Sequence, residues 1–229
     1  MNSRSDAATR RRGAAMRDRL VESGLRLLEE GGPEALQTRR VAAAAGASTM
    51  TVYTHFGGMN GLLKAIAAEA FTRFGAALAS TPPTDDPVAD FFAMGYAYRR
   101  YALASPQRYR LMFGLTADQT EHPPHRDVTA GPVAEAVGAE TFEQLVGAVE
   151  RMIDGGHLAP APARQAAARV WALMHGTVML DLSGYLGAEN SSLTTVLGPA
   201  TVDLLVGMGG ARAEIEQSLE RAGTLVARD

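Results

Sequence analysis

Gln37-Thr38-Arg39-Arg40-Val41-Ala42-Ala43-Ala44-Ala45-Gly46-Ala47-Ser48-Thr49-Met50-Thr51-Val52-Tyr53-Thr54-His55-Phe56, running on through Gly57-Gly58-Met59-Asn60-Gly61-Leu62-Leu63-Lys64, is the stretch that decides the fold. The Thr38 hydroxyl can cap a short helix by accepting from one of its first free backbone N–H groups. Ala42 to Ala45 favour helix and, being small, let another helix approach closely. Gly46 ends that helix, because glycine takes the left-handed conformation without steric penalty. Ser48 or Thr49 then caps a second short helix carrying Met50, Thr51, Tyr53, Thr54 and His55. Two helices joined by a short, glycine-containing turn form a helix-turn-helix, whose second helix can enter the DNA major groove. A solvated surface hairpin with no nucleic-acid role shares this spacing, so the side chains have to separate the two readings.

They favour DNA. Thr51 and Thr54 offer hydroxyls to base edges or phosphates, and Met50 offers an apolar end to a thymine methyl. Tyr53 and His55 carry donors long enough to reach phosphate oxygens. Val52 and Phe56, four residues apart, face inward and anchor the helix.

Taken together, Thr38-Arg39-Arg40-Val41-Ala42, Ala45-Gly46-Ala47-Ser48, Thr51-Val52-Tyr53-Thr54-His55-Phe56 and Leu62-Leu63 resemble the DNA-binding signature of TetR-family regulators. The resemblance implies an all-α protein with a three-helix DNA-binding domain and an all-helical ligand-binding and dimerisation domain. It also implies a homodimer on a palindromic double-stranded DNA operator, repressing until a small-molecule effector binds. On this reading Gln37, Thr38 and Arg39 clamp phosphates, and Thr49, Met50, Thr51 and Thr54 face base edges beside the capping Ser48. Tyr53 and His55 then hold the DNA backbone. Members of the family usually carry a lysine shortly after the closing aromatic, where this chain has Met59. Lys64, the only lysine present, is expected to replace part of that phosphate contact.

Charge is distributed accordingly. The 229 residues carry a net charge of −3, yet residues 1–73 hold eleven basic and seven acidic groups, a balance of +4, and the remainder holds eleven and eighteen, a balance of −7. Affinity for DNA follows local phosphate neutralisation, so the positive N-terminal third is the relevant part. The absence of cysteine excludes disulfides and thiolate metal sites and fits a reducing, cytoplasmic setting. No apolar run reaches the roughly 20 residues needed to cross a bilayer, so no membrane partner is expected. The polar, arginine-rich start does not read as a secretory signal. A bacterial cytoplasmic, nucleoid-associated protein is the resulting expectation.

About nine helices are expected. Met1 to Ala14, with Arg4, Arg10, Arg11 and Arg12, reads as a flexible basic arm that follows the DNA backbone. Leu20, Val21, Gly24, Leu25 and Leu28 put one apolar stripe on a helix over 16–30, stopped by Gly31-Gly32-Pro33. Asn60 is placed to cap a fourth helix that runs to Ala79, and the turn-rich segment from Ser80 to Pro87 separates the domains. The expected division is therefore an arm over 1–14, a DNA-binding domain over 15–79 and a ligand-binding and dimerisation domain over 80–229. Asp86-Pro87 and Ser105-Pro106 open the next two helices. These two gather Phe91, Met94, Tyr98, Tyr101, Tyr109, Met112 and Phe113, whose tyrosines and methionines suit a cavity for an apolar or aromatic effector as well as they suit core.

A seventh helix is expected over 132–154, an eighth over 163–186 and a ninth over 193–207, kinked at Gly198-Pro199. Trp171, Met174, His175 and Met179 on the eighth add to the effector pocket. The segment from Trp171 to Gly176 resembles a Trp…His-Gly element of one C-terminal domain type in this family. The eighth and ninth helices read as a dimerisation hairpin through Leu182, Tyr185, Leu197, Val202 and Leu205, although closing the protomer's own core is an alternative use of the same residues. The chain after Gly209 reads as a short frayed helix.

Catalytic spacings such as G-x-S-x-G, H-E-x-x-H, G-x-G-x-x-G and the P-loop are absent from the sequence, and no cofactor is expected. His122 and His125 sit three apart in a loop without helix geometry to aim them, so no metal site is assigned. Two rival classes remain: a helical enzyme using His175 with a nearby Tyr or Asp181, and a helical interaction module that does not bind DNA.

Overall fold

The structure is a computed structural model, and it describes residues 3–80, 82–114, 127–132, 138–187 and 190–226. Among these residues all regular structure is helical. The ten α-helices are α1 (Ser3–Gly31), α2 (Thr38–Ala44), α3 (Thr49–Phe56), α4 (Met59–Leu78), α5 (Pro87–Ala104), α6 (Pro106–Met112), α7 (Ala139–Asp154), α8 (Ala163–Leu182), α9 (Gly198–Gly207) and α10 (Arg212–Val226). The chain forms two compact units, one of Met1–Thr72 with Ser105–Thr120 and one of Arg73–Ala104 with Glu121–Asp229. The expected cut is at residue 80; here α6 joins the N-terminal unit and the last six residues of α4 join the other.

In the N-terminal unit α1 starts at Ser3 rather than Met16, so the arm expected to be flexible continues the helix. Alanines and arginines are good helix formers, and no glycine or proline interrupts them before Gly13. The stripe Leu20, Val21, Leu25 and Leu28 is buried together with Leu36, Val41, Val52, Leu62 and Ile66. Gly24 lies against this core: a Cβ there would stand 2.4 Å from Ile66 Cδ1, so any larger residue requires the Ile66 side chain to shift. The helix α6 docks on α1 through an Arg108–Glu29 ion pair. It also buries Tyr109 completely, with the Phe113 ring 4.8 Å from Tyr109 and 5.5 Å from Phe71.

The C-terminal unit has its own core, in which Val88, Phe91 and Phe92 of α5 meet Val149 and Met152 of α7, Ala167 and Val170 of α8, Val202 and Leu205 of α9, and Ile215 and Ala222 of α10. Asp86 opens α5 as its cap, accepting from the backbone N–H of Val88 at 3.1 Å and of Ala89 at 2.9 Å. The same carboxylate accepts from Ser218 Oγ at 2.9 Å and Arg221 Nη1 at 2.5 Å. Burial pushes the Asp86 carboxyl up, but the bonds from Ala89, Ser218 and Arg221 outweigh it and hold the group below the ordinary aspartate value. This anchor, with Ile215 and Ala222 buried, replaces the frayed tail expected after Gly209 with a docked helix of 15 residues.

The expected ninth helix is broken where proline demands it. Leu193–Leu197 form one π-helical turn and α9 begins at Gly198 with Pro199 in its first turn, where a missing N–H is tolerated. The seventh helix begins at Ala139, later than expected. The His122 and His125 pair lies outside the described residues. Among the described residues no helix is long and apolar enough to cross a membrane.

Candidate DNA-binding surface and effector site

The turn between α2 and α3 is tightly specified. Gln37, not Thr38, occupies the N-cap of α2; its own Nε2 donates to the Glu34 carbonyl at 3.3 Å, and Thr38 is the first helical residue. Gly46 has φ of 64°, and Ala47 N–H donates to the Ala42 carbonyl at 2.8 Å, closing the end of α2. Arg19 of α1 reaches across to this turn and donates to the Ala45 carbonyl at 2.7 Å. Nothing in the spacing of Arg19 announced that role.

Ser48 caps α3, its Oγ accepting from Thr51 N–H at 3.3 Å and lying 3.1 Å from Thr51 Oγ1. Thr54 Oγ1 donates to the Met50 carbonyl at 2.9 Å. Both threonine hydroxyls are thereby oriented, and each keeps acceptor capacity for an outside donor. Val52 is fully buried and fixes the rotation of the helix, which leaves Met50 69% and Tyr53 57% exposed. Phe56 is half-buried, with the Arg17 guanidinium 5.3 Å from its ring centre.

The close of α3 is equally exacting. Gly57 has φ of 70° and Gly58 of 130°, and a Cβ at Gly61 would fall 1.9 Å from the Phe56 carbonyl oxygen. The helix α4 starts at Met59, one residue ahead of the cap expected at Asn60. Gln37, Arg39, Ser48, Thr49 and Lys64 are exposed on this unit, and Thr38, Thr51 and His55 half-exposed. His55 turns toward α1, its Cε1 3.9 Å from where a Cβ on Gly13 would stand. A face with thymine-compatible, hydroxyl and phenolic groups on a rigid helix can read a major groove.

The expected effector-pocket residues divide between the units. Tyr109 and Met112 of α6 and its C-cap Phe113 belong to the N-terminal unit, where Tyr109 and Met112 are buried. Phe91 belongs to the main core of the C-terminal unit. The others gather in that unit. Tyr98 Oη lies 3.5 Å from His175 Nδ1, and the Trp171 ring is 5.7 Å from His175 and 5.9 Å from Phe142. Phe74 packs edge-on against Tyr98 at 4.9 Å and lies 5.1 Å from Tyr101, and the Met174 methyl lies 3.2 Å from where a Cβ on Gly95 would stand. Met94, on α5, and Met179, on α8, are half-buried. Burial lowers the His175 pKa, so the imidazole is held neutral.

Next to this set stands a buried polar cluster that sequence patterns did not reveal. Arg99 donates to Asp181 Oδ2 from Nε at 3.1 Å and from Nη2 at 2.8 Å. It also donates to Asn190 Oδ1 at 3.1 Å and Ser192 Oγ at 3.0 Å, and Ser192 Oγ donates to Asp181 at 2.7 Å. Asp181 is thus committed to a structural ion pair. Among the described residues no group of three or more His, Cys, Asp or Glu is placed to hold a metal ion.

The residues expected at a dimer face mostly point inward. Leu197, Val202 and Leu205 are buried inside the protomer, and Leu182 is half-buried. Among the described residues of the C-terminal unit, Tyr185, 78% exposed, and Leu180, 47% exposed, are the large apolar side chains that face outward. Around Gly176, one turn before Leu180, a Cβ would meet open space.

Comparison with known proteins matches both units. Residues 20–66 match the model for bacterial regulatory proteins of the tetR family, and residues 91–221, more than half of the chain, match the tetracyclin repressor-like C-terminal domain. The HTH-type transcriptional regulator Rv1816 of Mycobacterium tuberculosis is 27% identical over 218 residues, covering 82% of this chain and 89% of the relative. A solved structure from Rhodococcus sp. RHA1, of unknown function, superposes with a TM-score of 0.66 at 25% identity, over 84% of this chain and 95% of that one. RolR in complex with resorcinol superposes at 0.64 with 20% identity, over 92% and 96%.

Proposed function

The chain belongs to the TetR family of bacterial regulatory proteins, is a DNA-binding transcriptional regulator rather than an enzyme, and from that premise we propose that it is a cytoplasmic, ligand-responsive repressor. It acts as a homodimer on a palindromic operator and is released by a small, largely apolar or aromatic effector. The observation that carries the DNA half of this reading is the exposed Met50 and Tyr53 face of α3, held in rotation by the fully buried Val52. Thr49, Met50, Thr51 and Thr54 read base edges. Gln37, Thr38, Arg39, Tyr53, His55 and Lys64 hold the backbone, and Met59 leaves Lys64 as the lysine near the end of α3 available for phosphate. The two recognition helices of a dimer enter successive major grooves about 34–36 Å apart.

The effector half rests on the Tyr98, Trp171, Met174 and His175 cluster. The helix α4 is covalently common to both units, since the division falls between Thr72 and Arg73, and it supplies Phe74 to the aromatic cluster. An effector that prefers one setting of α4 shifts the spacing of the recognition helices, provided its affinity differs between the two states. The exposed Leu180 and Tyr185 with the open edge at Gly176 form the proposed dimer face.

The test is selection of bound duplexes from a random DNA pool with the purified protein at one fixed, moderate salt concentration. Recovery of a palindrome with half-sites about one helical turn apart is the expected result. Enrichment of single half-sites would remove the dimer. Binding without sequence enrichment would remove the reading of α3 as a base reader.

A further inference from the structure

The contacts around His175 close into a ring. Starting from Phe142 on α7, they pass to Trp171 and His175 on α8, then to Tyr98 on α5 and Phe74 on α4. From Gly75, next to Phe74, they return to α7, since the site of a Cβ on Gly75 is 3.4 Å from both Gln144 Nε2 and Thr141 Cγ2. Side chains from four helices, all within the C-terminal unit, thus meet around His175. Trp171, Met174, His175, Phe142 and Gln144 are all half-buried there, unlike the fully packed core formed by Val149, Met152 and Leu205.

Two chemical properties define what fits. The first is charge. Burial holds His175 neutral, and the ionic groups beside the ring are already engaged, Arg99 with Asp181 at 2.8 Å and Arg164 with Glu143 at 2.6 Å. An anion or cation entering the ring would lose hydration without gaining a counter-charge. The second is hydrogen bonding. Gln144 Oε1 is buried with no hydrogen-bond partner, a state that native proteins seldom leave unfilled. A carbonyl oxygen can only accept, so the missing partner is a donor.

We propose that this ring binds an uncharged aromatic compound carrying a hydroxyl donor, of which phenol is the simplest example, with the ring between the aromatic side chains and the hydroxyl donating to Gln144 Oε1. The proposal rests on the effector-site reading above and adds the chemical class of the ligand. A site built around an unpaired acceptor discriminates strongly against an analogue that lacks the donor, because the acceptor then stays buried and unpaired.

The experiment titrates the full-length protein with phenol, anisole and benzoate in a calorimeter at neutral pH, in parallel with duplex affinity for the operator selected above. Phenol is expected to bind at least about tenfold more tightly than anisole or benzoate. Gln144→Leu is expected to fold normally, since it removes the unpaired oxygen, and to erase the preference for phenol over anisole. Equal binding of phenol and anisole, a preference for benzoate, an undiminished preference in Gln144→Leu, or no binding by any of the three overturns the proposal. The regulatory reading fails separately: phenol binding with the expected preference that leaves duplex affinity unchanged supports the ligand class and removes effector-driven release.

Discussion

The hydroxyls that shape α3 find their partners within four residues, Ser48 with Thr51 and Thr54 with Met50. The polar contacts around His175 and Arg99 in the C-terminal unit join residues far apart in the chain: Tyr98 and His175 are 77 positions apart, and Arg99 and Asp181 are 82. A DNA reader must present the same face to every operator, and local bonds pre-set that face at little entropic expense. A ligand site assembled from four helices is specified only when the whole unit has folded. The same feature lets it respond as a whole to what it binds, because Tyr98 and His175 reach it from different helices.

The contrast is open to a direct test at its distant end. Asp181→Ala removes the carboxylate that accepts from Arg99 Nε at 3.1 Å and Nη2 at 2.8 Å, and leaves the guanidinium buried without it. Breaking one side of a buried pair costs about 3–5 kcal/mol, the largest effect expected for a single substitution here, and it should appear as a lowered urea midpoint. The double change Arg99→Met with Asp181→Leu should recover most of the loss, because the second charge no longer lacks a partner. A loss below about 1 kcal/mol in Asp181→Ala, a value typical of exposed pairs, would show that the cluster behaves as a surface pair.

At the local end, Gly61→Ala places a methyl where the Phe56 carbonyl oxygen already stands, 1.9 Å from the ideal Cβ position. Relief requires the start of α4 to move away from α3, with a loss of about 1–3 kcal/mol. Duplex affinity should fall with it while binding of phenol to the C-terminal unit persists. Loss of both together would mean that the two ends of the comparison are not energetically separate.

The same division explains what could be read in advance. The helix starts at Ser48 and at Asp86-Pro87, the stop at Gly46, the break at Gly198-Pro199 and the burial of Val52 all depend on residues within one turn of each other, and the sequence displays them. The position of α6 was not legible, because the spacing of Tyr109, Met112 and Phe113 says that a helix has an aromatic face without saying which unit receives it. Leu197, Val202 and Leu205 read as a dimer face in the sequence, with the protomer's own core as the alternative use of the same residues. Only the presence of α10, itself anchored by Ser218 on Asp86 132 positions away, completes the protomer's core around α9. The acceptor on Gln144 was invisible for the same reason: glutamine on an amphipathic helix is ordinary until its neighbours on α4 are known. Gly61 was visible as a letter, but the close approach to the Phe56 carbonyl that requires it was not.

Ser48→Ala probes the local end more gently. It removes the N-cap bond to Thr51, for which a loss of about 1 kcal/mol is usual, and it frees the Thr51 hydroxyl to turn. Stability of the N-terminal unit, followed by thermal unfolding, should drop by that amount. Sequence preference on the selected operator should broaden at the base pair that Thr51 faces. An unchanged preference with the same stability loss would limit Ser48 to capping.

The smallest expected effect separates reading from holding within α3 itself. Tyr53→Phe removes one hydroxyl from an exposed ring that lies against Gly58, where the nearest Tyr53 atom is 3.5 Å from the site of a Cβ, so the fold should be unaffected. If the hydroxyl donates to a phosphate, affinity falls by ~0.5–1 kcal/mol, equally for the operator and for every single-base variant of it. Because the phenol is neutral, the slope of affinity against salt should not change. Thr51→Ala, measured on the same panel, should instead lower affinity unevenly, with most of the loss at one base pair of each half-site. A uniform loss from both substitutions would place Thr51 on the backbone beside Tyr53 and leave base reading to Thr49, Met50 and Thr54. An uneven loss from Tyr53→Phe would bring the tyrosine into the groove, and the division of labour along the helix would have to be redrawn around it.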